Sequence, residues 1–212
     1  ESGVITEANQ VEVFTILKEI PQYAGWATSR AYNNLEGLLK SGLITETNQE
    51  EVFAILKEIS QYAGTNTDSA YYSLTALLKS GLITKANQKE VFTILKEIPQ
   101  YAGTNTDRAY NSLKAILESG VITEANQVEV FTILKEIPQY AGWATSRAYN
   151  NLEGLLKSGL ITETNQEEVF AILKEISQYA GTNTDSAYYS LTALLKSGLI
   201  TKANQKEVFT IL

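Results

Sequence analysis

The 212-residue chain has no cysteine, no histidine and no methionine. Without thiols there are no disulfides and no thiolate metal sites. Without imidazole as well, the commonest nucleophile–base pairs and transition-metal ligands are gone. Positive charge is sparse: 17 Lys and Arg against 24 Asp and Glu leave a net charge of −7. A phosphate backbone demands clustered cations, so no nucleic acid is expected as partner. No apolar run approaches the roughly 18 residues of a membrane span. Neither a signal-peptide pattern nor an N-x-Ser/Thr sequon occurs. No membrane span, no cofactor and no enzyme activity are expected. A chain that opens on Glu1 and contains no methionine reads as processed, engineered or a window onto something longer.

What the chain has instead is repetition. Residues 118–212 copy residues 1–95 letter for letter, so "LLKSGLITETNQEEVFAILKEI" starts at both Leu38 and Leu155. Inside that 117-residue unit the pair Ser-Gly returns every 39 residues, at Ser2, Ser41, Ser80, Ser119, Ser158 and Ser197. Periods of 20–50 residues mark stacked repeat architectures. The repeats run 2–40, 41–79, 80–118, 119–157 and 158–196, with a partial sixth over 197–212, read as one continuous array.

Each repeat carries two helical stripes. Val13, Phe14, Ile16, Leu17 and Ile20 have the spacing of one amphipathic helix, and Ala31, Tyr32, Leu35, Leu38 and Leu39 that of a second. Phe14, Tyr32 and Leu35 are expected in the core. Asn9 with Glu12 looks like a capping box, with Thr6 as a rival cap. Pro21 predicts a bend or an end near Ile20, and Gly25 a stop. Gly42, followed by Leu43 within reach of Leu38, predicts a Schellman ending to the second helix. Positions that differ between copies should face water: 29, 33, 36 and 40 on the second helix, and 7, 11 and 15 on the first. Two short helices cannot bury enough apolar surface alone, so neighbouring repeats must stack on one another. The fold expected is all-α, an α-solenoid of 39-residue helix pairs with a 117-residue super-repeat.

With a second helix such as "TDRAYNSLKAILESG", from Thr106 to Gly120, the chain resembles the HEAT and armadillo-like class of two-helix repeats. That resemblance implies scaffolding, protein binding or extended mechanical structure, and fold alone does not choose among them.

Few residues stand out from the periodic background. "GTNTD", from Gly64 to Asp68, has a trace of an oxygen-rich calcium loop but lacks its ligand set, and reads as a helix start capped by Asn66 or Thr67. Trp26 and Trp143 occur once per 117 residues, where other copies have Thr, as do Tyr72 and Tyr189 in place of Asn. These residues are expected either to plug gaps beside helices or to anchor a partner. Arg30, Asn33 and Arg108 join them as candidate partner contacts. At the end of the chain Val208, Phe209, Ile211 and Leu212 form half a helix pair and are candidates for end-to-end stacking. The leading expectation is a structural or filament-forming repeat protein that associates with itself or with neighbouring repeats. A scaffold with a concave groove for other proteins is the first alternative, and a designed repeat protein the second.

Overall fold

Each 39-residue repeat folds as the pair of helices its two stripes require. The computed structural model describes residues 5–201, 203, 204, 207 and 208. The first helices of successive repeats are α1 (Gln10–Tyr23), α3 (Gln49–Tyr62), α5 (Gln88–Ala102), α7 (Gln127–Ala141) and α9 (Gln166–Tyr179). The second helices are α2 (Thr28–Lys40), α4 (Thr67–Lys79), α6 (Thr106–Glu118), α8 (Thr145–Lys157) and α10 (Thr184–Lys196). No strand occurs among the described residues. The chain divides into two compact units, residues 1–114 and 115–212. In the first, α1 packs on α3, α3 on α5 and α2 on α4; in the second, α7 packs on α9 and α8 on α10. Each unit is thus an all-α stack of helix pairs, first helices in one layer and second helices in another.

Burial follows the stripes. Val52, Ile55, Leu56 and Ile59 from α3 meet Ala70, Tyr71, Leu74 and Leu77 from α4, all fully buried. Each large aliphatic side chain removed from water contributes about 1.5–3 kcal/mol. Phe14 departs from the expected core: it is 50% exposed, whereas Phe53, its counterpart, is 5% exposed. Phe53 lies against α1 in the groove between α1 and α3; no described helix precedes α1 to do the same for Phe14. Tyr32 is half-buried for the same reason, and Leu35 is buried as expected.

The helix ends use local chemistry that the pattern only partly announces. Gly42 and Gly81 hold φ near +72°, the left-handed region a glycine tolerates without strain. The bond closing that ending is not the Schellman one. Ser41 Oγ donates to Leu38 O and accepts from Leu43 N–H, and Ser80 repeats this with Leu77 and Leu82. The serine before each glycine therefore closes the turn. Asn9 and Asn48 occupy the N-cap positions but do not cap. Asn48 turns back into the loop, accepting from Thr45 N–H at 2.7 Å and donating to Leu43 O at 3.0 Å. The same pair of bonds recurs at Asn87, Asn126 and Asn165. Asn48→Ala strips both bonds from the loop and should cost about 1–3 kcal/mol, read by urea unfolding. Asn48→Asp, which keeps only the acceptor, should fall between the two.

Proline does not end the first helix. α1 continues past Pro21 to Tyr23, α5 past Pro99 to Ala102 and α7 past Pro138 to Ala141. A proline has no N–H for the carbonyl four residues back, which here belongs to Leu17, Leu95 and Leu134. The second helix supplies the missing donor: Tyr32 Oη reaches Leu17 O at 3.0 Å, Tyr110 Oη reaches Leu95 O at 2.7 Å and Tyr149 Oη reaches Leu134 O at 2.7 Å. In the repeats with serine instead, the distances lengthen to 3.4 Å for Tyr71 and 3.2 Å for Tyr188. There the serine N–H is present to make the ordinary helical bond.

The serines also join repeats. Ser60 Oγ donates to Glu19 Oε2 at 2.9 Å and Gln61 Nε2 to Glu19 Oε1 at 2.8 Å, bonds repeated by Ser177 and Gln178 with Glu136. Where the next repeat has Pro99, Glu58 lacks that hydroxyl. Burial raises the pKa of its carboxyl, against the pull of Lys96 and Lys57.

Candidate functional site

Two solvent faces carry side chains that the stack does not consume. The first belongs to the second helices. Gly25, at φ +54°, ends the first helix and opens a three-residue 3-10 turn, Gly25–Ala27, that leads into α2. Trp26 lies on this turn, 70% exposed. It plugs no gap. The Arg30 guanidinium lies over its ring, 4.8 Å from the centroid, and Arg30 Nε stands 3.6 Å from Asp68 Oδ2 on α4. Asn34 Nδ2 donates to Asp68 O at 2.8 Å. Asp68 is buried beneath these two residues, which corrects the expectation that the position equivalent to Ser29 faces water in every copy. Ser29, Asn33, Glu36 and Lys40 do face water.

Tyr72 is 69% exposed on α4, Asn33 is exposed on α2, and Arg108 is exposed on α6. In the second unit Trp143, Arg147 and Tyr189 repeat the arrangement, with Arg147 5.3 Å from the Trp143 ring and Asn151 donating to Asp185 O at 2.7 Å. All seven candidate partner contacts are thus exposed, and those on α2 and α4 share one face because the two helices pack side by side. Arg147 was missed by the sequence reading, although it copies Arg30. A further omission is the row Tyr23, Tyr62 and Tyr101 in one unit and Tyr140 and Tyr179 in the other, all exposed at the ends of first helices. Being invariant among the copies, they resemble core positions. Such a face can stack planar groups and satisfy carboxylates, the work of guanidinium and aromatic side chains at protein interfaces.

In the GTNTD loop Asn66 occupies the N-cap position of α4 but does not cap, because its side chain is turned to the next repeat, while the Thr67 hydroxyl closes the turn within its own repeat. Asn66 Nδ2 donates to Thr104 O at 2.6 Å, and Thr67 Oγ1 donates to Gly64 O at 2.7 Å. Asp68 sits in the first turn of α4 as expected. Of the end-stacking candidates, Val208 is helical and half-buried, while Phe209, Ile211 and Leu212 lie outside the described residues.

The second face belongs to the first helices, whose varying positions 7, 11, 50 and 89 are exposed as expected, whereas Thr15, Ala54 and Thr93 are half-buried because they line the grooves between neighbouring first helices. Grooves run between neighbouring helices there, between α1 and α3, α3 and α5, and α7 and α9. No helix among the described residues is long and apolar enough to cross a membrane. The architecture is a tandem-repeat scaffold. No family model, no curated protein and no solved structure matches the chain.

Proposed function

We propose that the chain is a structural repeat protein whose product is the extended stack itself. The observation that carries this is the way successive repeats are joined: Glu19 accepts from Ser60 and Gln61 of the next repeat, and Glu136 accepts in the same way from Ser177 and Gln178. Phe53 packs against the first helix of the preceding repeat, so the contact between repeats is apolar as well as hydrogen-bonded. The reading involves no catalytic step and no cofactor. Electron microscopy of purified protein over a concentration series tests it. Rods or fibres that lengthen with concentration are expected, and discrete short particles at every concentration overturn it.

A second reading, a scaffold that binds other proteins, is favoured by Trp26, which a purely mechanical stack has no need to leave 70% exposed beside Arg30. Trp26→Ala with Trp143→Ala should then abolish saturable binding of a partner while leaving thermal stability nearly unchanged. Binding that survives this pair of substitutions removes the reading.

A further inference from the structure

The groove between α1 and α3 has a volume of about 340 Å³, and the groove between α7 and α9, about 510 Å³, is lined by the residues 117 further along. Its walls are acidic, with Glu12 from α1 and Glu50 from α3, its floor is Ile16 and Phe53, and Val11 stands at its edge, 68% exposed. An exposed valine is out of keeping with its position, which holds Glu50 and Lys89 in the next two repeats. On α5 one stripe is basic: Lys89 and Lys96 are exposed at the rim of the α3–α5 groove, whose other wall holds Glu50 and Glu51, while Glu90 stands on the neighbouring stripe and Lys85 is exposed just before the helix. Neither the groove acids nor these lysines form an ion pair among the described residues.

We propose that the basic face of α5 from a second copy of this chain seats in the acidic α1–α3 groove. Lys89 enters between Glu12 and Glu50, and its aliphatic stem covers Val11, since a lysine can bury its methylenes while its ammonium stays with a charge. A two-fold axis makes the exchange reciprocal: each copy offers one groove and takes one helix, so both charge sets are matched in a closed pair. Charge complementarity fixes this register, because a groove set over another groove opposes acid to acid. Lys57 lines the same groove further along α3, so the attraction is confined to the amino-terminal half, where Glu12 and Glu50 lie. The groove recurs between α7 and α9, and in sequence Lys202 and Lys206 repeat Lys85 and Lys89. The proposal rests on the structural reading above and assigns the surface for side-by-side contact between stacks.

Sedimentation velocity of the full chain is the test. At an ionic strength of about 0.01 M the screening length is about 30 Å, and at 1 M about 3 Å. Pairing should appear at the lower salt and weaken at least about tenfold at the higher, as for any contact held by exposed charge. Two variants reverse the charges in both copies of the unit: Glu50→Lys with Glu167→Lys, and Lys89→Glu with Lys206→Glu. Each should be monomeric alone. Mixed in equal amounts they should pair again, since the basic groove of one then receives the acidic helix of the other and the reverse. Circular dichroism checks that both variants fold. Wild-type protein that stays monomeric at low salt, or a variant that pairs alone as the wild type does, overturns the proposal. Association that persists at 1 M salt and in both variants, growing lengthwise, overturns it while leaving the extension reading standing.

Discussion

Tyr110→Phe should destabilise the first unit by about 1–3 kcal/mol, the cost of leaving a buried carbonyl without a donor. The substitution removes one oxygen from a fully buried ring and opens almost no cavity, so loss of packing cannot account for such a cost. What it removes is a replacement for the N–H that Pro99 lacks: Tyr110 Oη donates to Leu95 O at 2.7 Å across the helix pair. Tyr71→Phe supplies the control in the same unit. Its hydroxyl stands 3.4 Å from Leu56 O, and Ser60, four residues on, keeps the N–H that serves that carbonyl, so a cost below about 1 kcal/mol is expected. A double-mutant cycle isolates the effect, because Pro99→Ser restores the donor. Tyr110→Phe should then cost about as little in the Pro99→Ser background as Tyr71→Phe does in the wild type, the difference being the coupling energy. Equal costs in the two backgrounds would show that the tyrosine is held for its ring alone. Urea unfolding at fixed pH measures all five proteins.

That bond shows where the legibility of the sequence stops. Periodicity placed the helices because burial of an apolar stripe depends only on residue spacing. Val52, Ile55, Leu56 and Ile59 are buried where the pattern requires. Pro21 does not bring the end that a rule weighing a proline against its own helix allows, because the compensating hydroxyl comes from Tyr32, eleven residues later in sequence and on the other helix. The asparagine before each first helix was misread for a similar reason. Both a cap and a backward brace satisfy orphan backbone groups, and only the path of the preceding loop decides which. Asn48 is taken by Thr45 and Leu43. The glycine of the second-helix ending was legible because a positive φ selects for glycine, but the role of Ser41 was not, since serine is common at helix ends for several reasons.

Variation between copies proved a sound guide to solvent at Val11, Glu50 and Lys89, and failed where neighbours in the stack compensate. Ser29 and Asp68 occupy one position in successive repeats, yet Asp68 is buried because Arg30 and Asn34 of the preceding repeat lie over it. A residue and its counterpart thus meet different neighbours, and a single repeat read in isolation cannot show this. The converse holds for Tyr62 and Tyr101, unchanged and exposed. Invariance among copies therefore does not by itself mark a core position. Trp26 follows the same logic: large, apolar and next to a helix start, it fits the description of a plug, and Arg30 reaching up one turn of α2 holds it at the surface instead.

Stability should fall steeply above about pH 10, where an exposed tyrosine begins to ionise. Tyr71 and Tyr188 are fully buried, and removal from water raises their pKa far above that value. Ser60 and Ser177 oppose this weakly, and the charges of Glu19 and Glu136 add to it. A folded-state pKa raised above the unfolded one stabilises the fold in full below the unfolded value and loses that contribution as pH rises. Above about pH 10 the unfolded chain releases phenolic protons that the folded chain retains, so each such tyrosine should cost about 1.4 kcal/mol per pH unit. The two lie in different units, so each unit should lose about 1.4 kcal/mol of stability per pH unit, set against about 5–15 kcal/mol for a typical domain. Unfolding free energies between pH 8 and 11 measure it. Tyr71→Phe with Tyr188→Phe removes both groups from the linkage and should flatten the curve, even though it deletes two hydrogen bonds and lowers stability at neutral pH. An unchanged slope in that variant would mean that the alkaline loss of stability does not come from these two phenols.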